Sequence, residues 1–154
     1  MWHWTYYART GIIPLKSFYH ITDFNGEDWL MNRIMIVDDE QDFCSLVEEL
    51  LVSAGYRDVL TCSETDEALT KITEFHPDLL LLDVNMPGMT GDDIAASLRE
   101  NPRTKDIPII FLTALVDSSD IGMGDNMIGS QIFISKPVKV NDLLQVVKAT
   151  LNKK

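Results

Sequence analysis

The stretch that most constrains the fold of this chain is residues 79–88, with the sequence LLLLDVNMPG. Four consecutive leucines followed by a proline–glycine turn predict a short strand that is buried on both faces of a parallel sheet. Asp83 follows directly, where this strand leaves the core. In open α/β sheets, ligands bind just beyond the carboxyl ends of the strands. Asp83 is therefore a candidate site residue on position alone.

Strand and helix patterns alternate along the chain from residue 33 onward. Strands are predicted at residues 34–37, 58–62, 79–82, 107–112 and 132–134, with amphipathic helical patterns between and after them. This alternation predicts an α/β fold, a doubly wound five-stranded parallel sheet with helices on both faces and the flavodoxin-like strand order 2-1-3-4-5. The switch point of such a sheet lies between the first and third strands.

Local signals mark where several helices begin and end. Gly55 stands where the first helix is expected to end, and Thr90 is expected to cap the third helix. Ser63, with Asp66 three residues later, predicts a capped start for the second helix. The fourth helix is the weak one, because several glycines fall within residues 121–130 and each helical glycine costs about 1 kcal/mol relative to alanine. We expect that helix to be short, frayed or absent.

Composition limits the class of protein. A chain of 154 residues fits one domain, and its formal charge of −11 argues against direct contact with nucleic acid or an anionic membrane. No apolar run is long enough to cross a bilayer and no signal peptide is evident, so a cytoplasmic location without membrane insertion is expected. Cys44 and Cys62 read as reduced core thiols, and the scattered histidines suggest no zinc site.

Residues 1–31 differ from the remainder, 32–154, in holding all three tryptophans without a helical or alternating period. One interpretation is an aromatic arm that docks on the domain or on a partner. The other is a leader that is disordered or not native, with Met31 as the working start. The second interpretation is favoured because the pattern is aperiodic. Residues 32–154 would then form the folded domain, with no room for an output domain.

Polar side chains follow four of the predicted strands. Asp38 and Asp39 come after the first strand, Asp83 after the third, Thr113 after the fourth and Lys136 after the fifth. Because parallel strands end at one edge of the sheet, we expect these residues to converge. Two carboxylates about 4 Å apart repel by roughly 4 kcal/mol at an intermediate dielectric, so the cluster needs a bound cation or protons. All-oxygen ligands favour Mg²⁺.

A metal ion, an ammonium and a hydroxyl around one carboxylate predict a phosphoryl-transfer site with Asp83 as the nucleophile. Each residue alone has an ordinary structural explanation. An aspartate after a strand often caps a helix, and a lysine before a proline is usually a solvated loop residue. Their joint placement at four strand ends favours a functional site.

Four motifs follow one another along the chain: VDDE at 37–40, LDVNMPGMTG at 82–91, LTA at 112–114 and SKP at 135–137. Together they resemble the receiver domain of bacterial two-component response regulators, of the stand-alone, single-domain type, over residues 33–151. The resemblance implies a phosphoprotein of a two-component or phosphorelay system. Its phosphodonor would be a phosphohistidine on a sensor histidine kinase or histidine phosphotransfer protein, and its downstream protein target is not identified.

The resemblance also implies roles for individual residues. Asp83 would accept the phosphoryl group. Asp39 and Asp83 would bind Mg²⁺ directly together with the backbone carbonyl of Asn85, and Asp38 would act mostly through water. Thr113 and Lys136 would contact the bound phosphoryl group.

Two further features follow from the same resemblance. Thr113 and Phe133 would form a switch, in which the threonine moves toward the phosphate and the aromatic ring turns inward. The alternative for Phe133 is an ordinary core aromatic. The peptide bond between Lys136 and Pro137 would be cis, which is uncommon for an ordinary X–Pro bond.

Three functions stay open at this point. The first is a phosphorylation switch that acts through protein contacts and catalyses only its own phosphoryl transfer and dephosphorylation. The second is a receiver-like binding module that is never phosphorylated. The third is an aspartate-nucleophile phosphatase, although that class commonly carries a second aspartate where this chain has Asn85, and it needs a substrate cap. The intact set of polar residues favours the first.

Overall fold

A computed structural model of the chain describes residues 31–114, 127–128 and 131–152. Within these residues, six strands form one sheet in the order β2-β1-β3-β4-β6-β5. The strands are β1 (Arg33–Val37), β2 (Asp58–Cys62), β3 (Leu79–Asp83), β4 (Ile109–Thr113), β5 (Met127–Ile128) and β6 (Gln131–Ser135). Five of them are parallel, and the predicted order 2-1-3-4-5 is confirmed, with β6 as the predicted fifth strand.

The short strand β5 is a feature that the sequence pattern did not predict. It pairs antiparallel with β6, with Met127 opposite Ile132 and Ile128 opposite Gln131. Two residues are too few to carry an alternating signal, and glycines surround them in the sequence. The predicted weak fourth helix falls largely on residues 115–126 and 129–130, which lie outside the described residues. The leader interpretations concern residues 1–31, of which residues 1–30 also lie outside the described ones.

Helices cover both faces of the sheet, as predicted. The helices are α1 (Gln41–Ser53), α2 (Ala68–Phe75), α3 (Gly91–Glu100) and α4 (Val140–Leu151), and a 3₁₀ turn at Thr65–Glu67 precedes α2. Apolar residues of α1 and α4 pack on one face, and those of α2 and α3 pack on the other. Among the described residues, no helix is long and apolar enough to cross a membrane.

Strand β3 is the centre of this arrangement. Leu79 and Leu81 belong to the core under α1 and α4, whereas Leu80 and Leu82 belong to the core under α2 and α3. All four leucines are fully buried. The leucine run is therefore a strand with two buried faces, as its composition predicts.

The helix ends agree with the sequence signals in two cases and differ in one. Thr90 and Asp93 form a reciprocal capping box at the start of α3, and Gly55 adopts a φ of +103° just after α1. The predicted cap by Ser63 is wrong. The 3₁₀ turn follows Glu64 and α2 follows Glu67, and neither residue makes a side-chain cap hydrogen bond. The 3₁₀ turn moves the start of α2 too far along the chain for Ser63 to reach it.

Leu81→Ala should lower the free energy of unfolding by about 2–5 kcal/mol, because it leaves a cavity in a strand with no exposed side-chain surface. The measurement is equilibrium urea unfolding, with Leu46→Ala as the matched control. Leu46 lies on α1 with 54% of its surface exposed, so its truncation should change stability by no more than about 0.5 kcal/mol. Equal effects at the two positions would contradict the assignment of β3 as the core strand.

Candidate functional site

Three aspartates meet where β1 and β3 leave the core. Asp83 is the last residue of β3, and Asp38 and Asp39 follow β1, which pairs with β3 through Val37 and Leu82. One carboxylate oxygen from each aspartate lies within 4.8 Å of the other two. Asp38 and Asp83 are buried, whereas Asp39 is exposed. The predicted convergence of these residues is therefore present, with two carboxylates inside the protein and one facing solvent.

A lysine at the end of β6 contacts both buried carboxylates. The Lys136 ammonium lies 2.6 Å from Asp38 Oδ2 and 3.2 Å from Asp83 Oδ1. It reaches Glu40 Oε1 at 3.5 Å near the surface. Lys136 follows β6 directly, and its backbone N–H donates to the carbonyl of Thr113 at 2.8 Å. The ends of β1, β3 and β6 thus meet around one ammonium group, which is closer to Asp38 than to Asp83, and β4 is joined to them through the Lys136 backbone.

Negative charges outnumber positive ones in this cluster, and the pKa values of its side chains are shifted from their ordinary values. Burial raises the pKa of Asp83, and the negative charge of Asp38 raises it further, while Lys136 opposes both effects. Burial also raises the pKa of Asp38, against the hydrogen bond from Lys136. Burial alone would lower the pKa of Lys136, but its bonds to both aspartates outweigh that effect and raise it. Two buried carboxylates share one ammonium, which leaves an uncompensated negative charge.

The backbone around Asp38 is held by three further hydrogen bonds. The Asp38 N–H donates to the Cys62 carbonyl at 3.1 Å, and the Asp38 carbonyl accepts from the Cys44 thiol at 3.3 Å. The Glu40 N–H donates to Asp38 Oδ1 at 3.0 Å. Burial raises the pKa of Cys44 to about 12, with a further contribution from Asp38. Cys44 is therefore a protonated, structural thiol, in agreement with its predicted role in the core.

The backbone of Asp83 is held by the start of α3. Gly91 lies so close that a β-carbon placed on it would be 2.3 Å from the Asp83 carbonyl oxygen. Its N–H also donates to the Val84 carbonyl at 3.0 Å. Only glycine allows this approach without moving the loop after β3. Gly91 belongs to the second motif of the sequence, but its motif position alone does not reveal this contact.

The remaining predicted residues surround the cluster at different depths. Thr113 is buried at the end of β4, and the side chain of Asn85 is exposed in the loop after β3. Phe133 is half-buried in β6 and stacks on Phe111, with ring centroids 5.2 Å apart and planes at 22°. The bond between Lys136 and Pro137 is cis. Phe133 is thus a partly buried ring that packs against the core under α2 and α3.

Two residues that contact the site were not predicted from the sequence to belong to it. Glu40 contacts Lys136, and the Phe43 ring lies under the same ammonium, with its centroid 4.2 Å from Nζ. Phe43 reads in the sequence only as an apolar position of the first helix. Its partner is more than ninety residues away along the chain, so spacing within the helix carries no sign of the contact.

The fold and site together define a class: a doubly wound α/β domain with an acidic cluster and one ammonium at its topological switch point. Comparison with known families makes the class specific. Residues 34–148 match the family described as the response regulator receiver domain. The chain therefore belongs to this family, and it is a receiver domain of the response-regulator type.

Individual relatives agree with this assignment. The chain is similar to the DNA-binding response regulator MtrA of Mycobacterium tuberculosis, with 34% identity over 126 residues that cover 82% of this chain and 53% of MtrA. It thus spans about half the length of the curated relatives that it matches first. It is also similar to the polar-differentiation response regulator DivK of Brucella ovis, with 32% identity over 79% of this chain and 98% of DivK.

A solved structure gives the same result for the fold. The chemotaxis protein CheY4 of Vibrio cholerae is similar with a TM-score of 0.65 and 30% identity. The similarity covers 78% of this chain and 98% of the CheY4 chain.

In buffer free of divalent metal ions, Asp83→Asn should raise the free energy of unfolding at neutral pH by about 1 kcal/mol or more, because it leaves a balanced pair of Lys136 and Asp38. An acid whose pKa is higher in the folded chain costs stability once the pH exceeds its unfolded pKa, and costs none below it. The gain should therefore vanish as the pH falls toward about 4.

Urea unfolding across this pH range, with the exposed Asp106→Asn as control, measures the gain. A loss of stability on replacing Asp83 at neutral pH would contradict the charge imbalance.

Proposed function

We propose that this receiver domain is a phosphorylation switch in which Asp83 accepts a phosphoryl group. The phosphodonor is the phosphohistidine of a sensor histidine kinase or of a histidine phosphotransfer protein. The observation that carries the proposal is the 3.2 Å contact between the Lys136 ammonium and the buried Asp83 carboxylate. The negative charge of that carboxylate is only partly compensated. This arrangement offers a nucleophile and a cation to the same incoming phosphoryl group.

The donor set fits a magnesium ion. Asp38, Asp39 and Asp83 present carboxylate oxygens to a common point, and no histidine or cysteine belongs to this cluster among the described residues. The nearby Cys44 keeps its proton and donates a hydrogen bond to the Asp38 carbonyl, so it does not compete as a ligand. Asp39 and Asp83 would hold the ion together with the Asn85 carbonyl, and Asp38 would support it from the same cluster. When bound, Mg²⁺ offsets the negative charge that gathers on the phosphoryl oxygens.

The transfer step is a displacement at phosphorus. An Asp83 carboxylate oxygen forms a bond to phosphorus as the phosphorus–nitrogen bond of the donor breaks, and the electron pair leaves with the imidazole nitrogen. Lys136 turns from its contact with Asp83 to an oxygen of the transferred group. Hydrolysis of the aspartyl phosphate by water returns the carboxylate and releases inorganic phosphate. The domain thus catalyses only reactions of its own phosphoryl group.

Two residues on neighbouring strands transmit the phosphorylation of Asp83 to the surface of the domain. Thr113 ends β4, and its carbonyl holds the backbone N–H of Lys136. Phe133 lies two residues before Ser135, which pairs with Thr113 across β4 and β6. A hydrogen bond from the Thr113 hydroxyl to the phosphoryl group frees space into which Phe133 turns. The altered surface changes contacts with a downstream protein, since the net charge of −11 disfavours direct binding to nucleic acid.

Incubation with acetyl phosphate and Mg²⁺ should add one phosphoryl group to the protein, measured by intact mass and by mobility in a phosphate-affinity gel. Asp83→Asn should remove at least nine-tenths of the adduct, because it removes the nucleophile. The matched control Asp106→Asn replaces an exposed aspartate away from the cluster and should be phosphorylated like the wild type.

Three outcomes decide among the functions. An undiminished adduct on Asp83→Asn, or one that forms equally in the presence of EDTA, contradicts the proposal. A wild type that acquires no adduct fits a binding module that is not phosphorylated. Continuous turnover of added phosphate esters fits a phosphatase.

A further inference from the structure

The Lys136 ammonium has two kinds of partner. The first are the carboxylates of Asp38 and Asp83, at 2.6 and 3.2 Å. The second is the face of the Phe43 ring, with its centroid 4.2 Å from Nζ. Only 13% of the lysine side chain is exposed. The ring is therefore part of the wall that confines the ammonium, in a setting where water competes weakly.

Phe43 is held in place independently of the lysine. It lies in the first turn of α1 and packs against the core that α1 shares with α4. The next residue, Cys44, is buried, and its thiol bonds to the Asp38 carbonyl at 3.3 Å. The first turn of α1 is thus fixed to the exit of β1. The packing that anchors the Phe43 ring therefore does not depend on the lysine.

An aromatic face attracts a cation through the quadrupole of its π-system and adds no negative charge to the site. This matters because the carboxylate partners of Lys136 change their own partners during the proposed function, on which this inference rests. A metal ion shared by the aspartates, and a phosphoryl group on Asp83, both weaken the original ion pairs. The Phe43 ring is consumed by neither event, so it stays available to the ammonium as a partner.

We infer that Phe43 is a positioning residue for phosphoryl transfer, which keeps the Lys136 ammonium at the acidic cluster through a cation–π contact. Its role differs from that of Glu40, which is 69% exposed and lies at 3.5 Å. Glu40 adds negative charge at the rim of the site, whereas Phe43 adds attraction for the lysine without attracting metal ions.

The test compares Phe43→Leu, which keeps an apolar side chain but removes the aromatic face, with Phe43→Tyr, which keeps the face. The rate of phosphorylation by acetyl phosphate and Mg²⁺, followed by intact mass, should fall about twofold to fivefold for the leucine variant. The tyrosine variant should stay within about twofold of the wild type. Urea unfolding of both variants reports whether the fold is retained.

Two further readouts separate positioning of Lys136 from a packing defect. In a Lys136→Met background, Phe43→Leu should cause no additional slowing, since the group that it positions is gone. Mg²⁺ affinity, measured by calorimetry, should be unchanged or higher in Phe43→Leu, because a less confined ammonium competes less with the metal ion. Equal slowing in both backgrounds, or weaker Mg²⁺ binding together with slower phosphorylation, would overturn the inference.

The contact itself can be observed without any phosphoryl transfer. In the wild type, the Cε protons of Lys136 should be shifted upfield by the ring current of Phe43, and NMR should find this shift lost in Phe43→Leu and kept in Phe43→Tyr. If the wild type acquires no phosphoryl group while the shift is present, the proposed function fails and the contact stands. If phosphorylation is normal and the shift is absent, the inference about Phe43 fails alone.

Discussion

The rest of this site depends on one buried ammonium that two buried carboxylates share. Lys136 lies within 3.2 Å of both Asp38 and Asp83, and none of the three side chains is more than 13% exposed. Taking these charges out of water is expensive, and one cation cannot neutralise two anions. The sheet makes the arrangement possible because the ends of its parallel strands meet at one edge. Local hydrogen bonds then fix Asp38, which accepts from the Glu40 N–H and the Cys44 thiol and donates its own N–H to the Cys62 carbonyl.

The same imbalance links stability to function. A carboxylate that is costly to bury attracts a divalent cation strongly, and it becomes a more effective nucleophile when a cation organises the incoming group. The arrangement that favours reactivity of the carboxylate therefore lowers the stability of the folded domain when no metal ion is bound. Gly91 supports it from behind by allowing α3 to approach the Asp83 backbone, at a distance that no side chain would permit. The receiver-domain family assignment agrees with this interpretation.

Much of this account could be predicted from the sequence, because its main signals are strong and local. The leucine run identified β3, the alternation of patterns gave the parallel order, and the polar residues at strand ends pointed to the acidic cluster. The rest depends on contacts between distant segments. The Phe43–Lys136 contact joins two distant helix and loop positions, the two-residue β5 has no period of its own, and the 3₁₀ turn after Glu64 displaced the expected Ser63 cap.

The measurement that tests the central claim most directly locates the phosphoryl group on the chain. After incubation with acetyl phosphate and Mg²⁺, borohydride reduces an aspartyl phosphate to homoserine, and peptide mass spectrometry identifies the converted position. The account predicts homoserine at position 83 and at no other aspartate. Homoserine at Asp38 or Asp39, or a phosphorylated protein in which Asp83 is unchanged, would contradict it.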